Sequence, residues 1–280
     1  MATHSDATFA TFTCMPSAYF VSDIHITSPD SPRARLFLSF LHKLSGRNNA
    51  THLFLLGDIF DLWVADHRCF VDRYREIIDE IRRLRDEGVA ISYFEGNHDI
   101  HLGYYWADEL GLAVHVGPAY VQLGEKTVRL EHGDQMDPDD KGYLFLRWFL
   151  RTGAVRLLIR KLPGALVSRI GDRASSQSRR YTSRSKVIRP AEAIAKIRAH
   201  ARRAYARDPF DLIISGHVHV RDDCRIESES GTFRSVNLGS WFDAPCYFKI
   251  EGADERFYEC NDECPPTPML QETGHPTTVQ

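Results

Sequence analysis

Short apolar runs alternate along the chain with amphipathic stretches, and the apolar runs keep stopping at small, acid- or histidine-bearing motifs. Ala18-Tyr19-Phe20-Val21 ends at Ser22-Asp23-Ile24-His25, and Leu53-Phe54-Leu55-Leu56 ends at Gly57-Asp58. Val89 to Phe94 ends at Gly96-Asn97-His98-Asp99, Val128-Arg129-Leu130 at Glu131-His132-Gly133-Asp134, and Leu212-Ile213-Ile214 at Ser215-Gly216-His217-Val218-His219. Runs of this length, bounded by turn residues, read as buried strands. Between them the period changes. Leu36, Phe37, Phe40, Leu41 and Leu44 recur at helical spacing. From Phe70 the residues Tyr74, Ile77, Ile78, Ile81 and Leu84 trace one helix face, with Gly88 placed to cap it. Val236 to Phe248 predicts closing strands. Alternating strands and helices predict an α/β layered sheet, and the carboxyl ends of its strands are where such folds place their chemistry.

Length bounds this reading to one large domain or a domain with an insertion. Charge selects the second. Lys141 to Arg207 holds 18 of the 35 Lys and Arg residues but only two of the 38 Asp and Glu. A basic insertion, about residues 140–207, is thus set in an acidic body, which predicts an anionic partner. The folded domain is expected over 18–250, with a loose polar start over 1–17 and a disordered acidic tail over 251–280. No run of about 18 apolar residues is present, so no membrane-spanning helix is expected. The start lacks the basic-then-apolar pattern of a secretory signal, and the six cysteines are scattered, so a reducing, cytoplasmic location is expected. Cys260 and Cys264 are spaced like half a zinc site, but no second pair accompanies them.

Taken one at a time, an Asp after a strand is usually a turn residue, and a lone His is usually a satisfied core or surface group. Five junctions in succession read differently. Asp23, His25, Asp58, Asn97, His98, His132, His217 and His219 offer carboxylate, imidazole and amide-oxygen donors suited to first-row ions such as Mn, Fe or Zn. If the chain stays strand-like there, Asp23 with His25, and His217 with His219, each aim two donors at one point. The donors are too many for one tetrahedral ion. Two ions bridged by Asp58 fit better, and such a pair serves in-line displacement at phosphorus by lowering the pKa of a bridging water. Asp99 and Asp134 are either partners that orient a ligand histidine or plain turn residues.

These motifs, in this order from about residue 18 to 248, resemble the calcineurin-like metallophosphoesterases. The resemblance implies a four-layer αββα sandwich. It implies one metal held by Asp23, His25, Asp58 and His219 and another held by Asp58, Asn97, His132 and His217. It makes Asp58 and His98 the catalytic pair, with His98 steadying phosphate oxygens or protonating the leaving group. Within the superfamily the chain is most similar to the UDP-2,3-diacylglucosamine hydrolase family of lipid A synthesis, through Gly57-Asp58-Ile59-Phe60-Asp61-Leu62-Trp63 and through His132-Gly133-Asp134 followed by Asp139-Asp140 and Tyr143. That family tends to have Glu where Asp61 stands and Arg where His98 stands. The likeness implies Asn97, His98, Asp140, Tyr143 and Ser176 as substrate contacts and a helical lid after Tyr143.

The insertion has what a lid needs. Apolar residues from Leu144 to Ile170 are interleaved with Arg147, Arg151, Arg156, Arg160, Lys161 and Arg169, a pattern suited to acyl chains and anionic head groups. The expected reaction is hydrolysis of the pyrophosphate bond of UDP-2,3-diacylglucosamine to UMP and 2,3-diacylglucosamine 1-phosphate by metal-hydroxide attack. Two divalent ions, Mn²⁺ by expectation, would serve it. The enzyme would be cytoplasmic and peripheral on the inner face of the inner membrane, docked to the anionic surface through the basic lid, with no nucleic-acid partner. The alternative is a soluble calcineurin-like phosphodiesterase or phosphatase acting on another ester. A non-enzymatic scaffold would need a lost ligand, and none is lost.

Overall fold

A computed structural model describes residues 17–44, 50–170, 190–242 and 244–260. Two sheets stack face to face. The first has the order β13-β12-β1-β2-β4-β6 and the second β10-β11-β9-β8-β7. In the first, β1 (Ser17–Val21), β2 (His52–Leu55), β4 (Ala90–Phe94) and β6 (Ala113–His115) run parallel, and β12 (Cys246–Glu251) and β13 (Asp254–Glu259) close one edge antiparallel. In the second, β8 (Lys126–Leu130), β9 (Leu212–Ser215) and β11 (Gly231–Leu238) are mutually parallel. There β7 (Ala119–Leu123) and β10 (Arg221–Ser228) form antiparallel edges. A separate two-stranded sheet joins β3 (Trp63–Val64) to β5 (Asp99–Ile100).

The central strands read as unbroken apolar runs because both faces are covered. Ala18 and Phe20 of β1, Phe54 of β2, and Val128, Leu130, Leu212 and Ile214 of the second sheet pack between the sheets. The alternate residues Tyr19, Val21, Leu53 and Leu55 pack outward under α1 (Pro32–Lys43) and α3 (Arg75–Asp86). Phe20 pairs in register with Phe54, their rings stacked 4.9 Å apart. Ser31 caps α1 by accepting from Ala34 N, with Pro32 at the first helical position. Gly88 takes φ +93° beyond α3. Its N–H meets Arg85 O, and Val89 N–H meets Leu84 O, a Schellman ending.

Two expectations change here. The acidic segment from Glu251 is not loose throughout: β13 pairs residue for residue with β12, and Phe257 is buried. It is an edge strand whose charges are partly exposed and partly paired, as Glu255 is with Arg234. The hairpin β10–β11 was hidden for the same reason. The insertion also ends earlier than its charge suggests. After α4 (Lys141–Leu150), α5 (Gly153–Lys161) and α6 (helical over 164–170), helix α7 (Pro190–Arg207) is the outer layer of the sandwich itself. Its Ala201, Ala204 and Tyr205 pack on Phe210, Ile213, Ile226 and Phe233 of the second sheet. That completes four layers, helix–sheet–sheet–helix.

Candidate metal centre

The carboxyl ends of β1, β2 and β4 in one sheet meet those of β8 and β9 in the other. Asp23 and His25 follow β1, Asp58 follows β2, Asn97 and His98 follow β4, His132 follows β8, and His217 and His219 follow β9. The backbones interlock: Leu56 N–H donates to Val21 O, Asp23 N–H to Gly57 O, His25 N–H to Asp58 O, and Gly216 N–H to His132 O.

Locally these turns are not strand-like. Asp23, His25, Asp58, His217 and His219 all take φ between +50° and +69°. This left-handed region is uncommon for residues with a Cβ, and such strain gathers at functional sites because the surrounding fold over-determines it. The period-of-two argument therefore fails for His217 and His219, whose rings diverge to different partners. Glycines make the approach possible. A Cβ on Gly57 would sit 2.5 Å from His132 Nδ1, and one on Gly96 would collide with Asp58 Oδ1.

The donors fall into two adjoining groups. Asp23, His25 and His219 form one, and Asp58, His132 and His217 the other, with the donor atoms in each within 4.8 Å of one another. His219 Nε2 is 3.2 Å from Asp23 Oδ1 and 3.2 Å from His25 Nε2. Asn97 Oδ1 lies 3.2 Å from His132 Nε2 and 3.0 Å from His217 Nδ1, which brings it into the second group. One oxygen faces both: Asp58 Oδ2 is 3.8 Å from His25 Nε2 and 3.6 Å from His132 Nε2. Donors held about 2.1 Å from an ion stand about 3.0–3.5 Å apart, so these separations are close to edges of coordination polyhedra. His98 approaches from the side, its ring 4.8 Å from that of His25, and joins His25 and Asp58 in a third overlapping group.

The remaining atoms of these groups are tied down so that one face points inward. His132 Nδ1–H donates to Leu56 O at 2.8 Å, which turns Nε2 toward Asp58. Asp23 Oδ2 accepts His217 N–H and Asp58 Oδ1 accepts His98 N–H, both at 2.8 Å, so each carboxylate keeps its other oxygen for the centre. Among the described residues, Asp23 Oδ1 is buried, with no well-formed hydrogen bond and only the His219 and His25 rings near it. A buried carboxylate oxygen left so is costly unless a cation serves it. The donor set thus fits divalent metal.

Electrostatics agree. Burial alone would raise Asp58, but the imidazoles of His132, His98 and His25 hold it well below the usual carboxylate range. Burial likewise opposes ionisation of Asp23, and His219 and His132 outweigh it. Burial pushes His25 and His217 down to about 4, so both are neutral donors at pH 7. His132 is lifted to about 9 against its burial by Asp58 and Asp23, the position of a ring that faces two carboxylates where a cation could replace its proton.

Asp99 proves to be a backbone clamp and not an orienter of histidine. Its carboxylate accepts Asp58 N–H, Ile59 N–H, Gly96 N–H and Tyr93 O–H, tying the β2 turn to the β4 turn. Asp134 accepts Tyr143 O–H at 2.7 Å and Arg147 Nε–H at 2.6 Å, so the β8 turn is held from the lid. Tyr143 is drawn in, its ring 6.2 Å from that of His217. Asp140 is exposed and caps α4 by accepting Tyr143 N–H. Ser176 lies outside the described residues, as does Cys264. Sequence reading missed the rim on the β1 side. There Phe242 is half exposed, 5.2 Å from the His25 ring, with the Arg33 guanidinium 4.2 Å above it. An arginine early in a helix and a phenylalanine in a turn carry no signal of their own.

The lid keeps its apolar side outward but turns two of its cations inward. α4 turns Tyr143 and Arg147 toward the body and exposes Phe145, Trp148 and Phe149 by 64%, 62% and 44%. Arg151, at its end, donates to Glu95 Oε2 and Gly96 O. Arg147 and Arg151, expected to face lipid, are instead spent on the metal-site loops. Eight of the ten exposed large apolar residues among those described lie between Phe145 and Ile170. A cavity of about 410 Å³ adjoins the centre beyond Asp134, and its wall is charged, including Arg129, Glu131, Arg147, His200 and Arg203.

The family model for calcineurin-like phosphoesterases matches residues 17–221. The chain is similar to UDP-2,3-diacylglucosamine hydrolase of Pseudomonas aeruginosa (strain UCBPP-PA14), 29% identical over 230 residues, covering 80% of this chain and 91% of that one. The Neisseria gonorrhoeae protein of the same name is 28% identical over 251 residues, covering 89% and 100%. Among solved structures, an archaeal phosphodiesterase aligns with TM-score 0.42 at 11% identity, covering 86% of this chain and 98% of that one. A Vps29 variant from Entamoeba histolytica aligns with TM-score 0.44 at 13% identity, covering 91% and 99%. With five strand-end motifs converging on one point and the family model spanning most of the chain, this protein belongs to the calcineurin-like phosphoesterases, metal-dependent hydrolases that use divalent ions.

Proposed function

We propose that the chain hydrolyses the pyrophosphate bond of UDP-2,3-diacylglucosamine, releasing UMP and 2,3-diacylglucosamine 1-phosphate. Asp23, His25, Asp58 and His219 would hold one cation, and Asp58, Asn97, His132 and His217 the other. Mn²⁺ is the working ion in this reading. Bound there, the pair supplies Lewis acidity and an activated water. Water would add its oxygen to the α-phosphorus and give up a proton to solvent, while the bond from that phosphorus to the bridging oxygen breaks and the oxygen leaves with the β-phosphate. Asp58, whose Oδ2 faces both His25 and His132, would contribute to both sites. His98, steadied by its Nδ1 contact of 2.9 Å to Asp61 O, stands beside Asp58 to neutralise charge on the phosphoryl oxygens.

The observation that carries the reading is the pairing of this centre with a lid whose apolar side faces out. Phe145, Trp148 and Phe149 form an exposed aromatic cluster, with Leu157, Leu158, Leu166 and Ile170 in the same segment. Exposed patches of this kind mark apolar partners. Acyl chains and the inner face of an anionic membrane are the partners proposed, with the exposed Lys161 and Arg169 reaching head groups. No helix among the described residues is long and apolar enough to cross a membrane. The names of the curated relatives support the same substrate.

The charged cavity beyond Asp134 favours a second reading, a soluble phosphodiesterase or phosphatase acting on a polar ester. Turnover of UDP-2,3-diacylglucosamine beside bis-p-nitrophenyl phosphate, with Mn²⁺ present, separates the two. Preference for the lipid nucleotide is expected. Hydrolysis of the chromogenic diester alone would transfer the assignment to the soluble reading.

A further inference from the structure

Helix α4 is attached to the body by the wrong face for an amphipathic helix. None of its residues is fully buried, and Phe145, Trp148 and Phe149 point to solvent. What holds it is a polar stripe. Tyr143, Arg147 and Arg151 recur at every fourth position and so lie on one side of the helix. Each lands on a loop that carries a candidate metal ligand. Tyr143 and Arg147 both reach Asp134, two residues after His132, and Arg147 also donates to Val116 O at 2.9 Å. Arg151 donates to Glu95 Oε2 at 3.2 Å and to Gly96 O at 3.0 Å, immediately before Asn97 and His98. Glu95 is buried, and its other oxygen accepts Leu102 N–H at 3.0 Å, so it is fixed from both sides. Asp134 is buried as well.

We propose that Arg147 and Arg151 are positioning residues: from the lid they hold the β8 and β4 turns so that His132 and Asn97 reach the second cation together. The first cation group, Asp23, His25 and His219, receives no such support from α4. The lid is therefore part of the metal centre's framework as well as a cover. Whatever engages the outward aromatic face of α4 bears on the loops beneath it. Forked guanidinium contacts suit this task because each fixes direction as well as distance. The proposal rests on the reading of the site as a hydrolytic metal centre and not on the identity of the lipid substrate.

The test uses the full chain, bis-p-nitrophenyl phosphate, and Mn²⁺ titrated into chelator-stripped enzyme, with bound Mn²⁺ also measured directly by equilibrium dialysis in the absence of substrate, where the two arginine variants are expected to bind the second ion more weakly. A water-soluble diester needs no apolar lid contact, so a fall in its turnover reports on the centre. Arg160 supplies the matched control, since it ties the lid to Asp66 at 2.9 Å without touching a ligand loop. Arg151→Gln and Arg147→Gln are each expected to lower kcat about 10- to 100-fold and to raise the Mn²⁺ concentration for half-activation, with KM little changed, as for other groups that orient metal ligands. Arg160→Gln should stay within about twofold. Asp134→Asn combined with Arg147→Gln should cost less than the two single losses added together, because each single variant already removes the contact between them. An inert wild type would sink the hydrolase reading itself. An active wild type with unchanged kcat and Mn²⁺ dependence in both arginine variants, or an equal loss in Arg160→Gln, would overturn the positioning role alone.

Discussion

The metal centre and the lid break the ordinary partition of polar and apolar groups in opposite directions. At the centre, Asp23, Asp58 and His132 are almost fully buried. On α4, Phe145 and Trp148 stand mostly in solvent. A buried charge persists only with a partner of opposite sign, and an exposed aromatic cluster is costly unless something apolar meets it. The same argument run both ways names two kinds of partner, divalent cations for one region and hydrocarbon for the other. The regions also differ in how they are held. The centre is locked by backbone bonds and left-handed turns, whereas α4 rests on a few forked ion pairs. Rigidity sits where geometry decides the chemistry.

The largest test of that contrast is at Asp58. Asp58→Ala should abolish turnover and reduce bound metal, read by kcat and by metal analysis of the purified protein. Full activity in that variant would remove the bridging oxygen from the mechanism. Asp99→Asn comes next. The carboxylate accepts four donors, and an amide would turn its own N–H₂ on some of them. A loss of about 3 kcal/mol in denaturant unfolding is expected, together with a 10- to 100-fold drop in activity. Metal itself should act as a stabilising ligand. Addition of Mn²⁺ to about 100 times its Kd should add about 2.7 kcal/mol, seen as a rise in Tm that a chelator reverses.

Smaller effects should separate the lid from the core. Phe145→Ser with Trp148→Ser should weaken binding to anionic vesicles while leaving unfolding free energy within about 0.5 kcal/mol, since both side chains are exposed. Neutralising either cation, as Lys161→Gln or Arg169→Gln, should cost about 1 kcal/mol each in vesicle binding, about fivefold in affinity, and should fade with salt. Unchanged vesicle binding in these variants would break the comparison and leave the lid a simple cover. Smallest of all is Gly88→Ala. No atom lies near the added Cβ, but φ +93° is unsuited to it, so a loss of about 1 kcal/mol with unaltered activity is expected.

Much of this was legible in the residue order. The strands are buried on both faces, so β1, β2, β4, β8 and β9 appear as apolar runs, and each stops where its ligand-bearing turn begins. Helix α3 shows its face and its Gly88 ending. By contrast, β10 and β13 are edge strands that carry partly exposed charges, so local composition disguised them as loop and tail. Helix α7 was counted with the lid because its arginines outnumber its small core contacts, Ala201 and Ala204.

By itself the sequence determined which strands end at the site and which donor atoms are available there, because burial pattern and residue chemistry are local properties. Only the tertiary structure decided how those donors divide between two groups. His217 and His219 part company through left-handed backbone that period-two reasoning does not anticipate. It also decided which way α4 faces. An apolar stripe normally turns inward, but here Asp134 and Glu95, distant in the chain, draw the cationic stripe down and leave the aromatics outside. Such pairings join residues far apart in the chain, and no local pattern carries them.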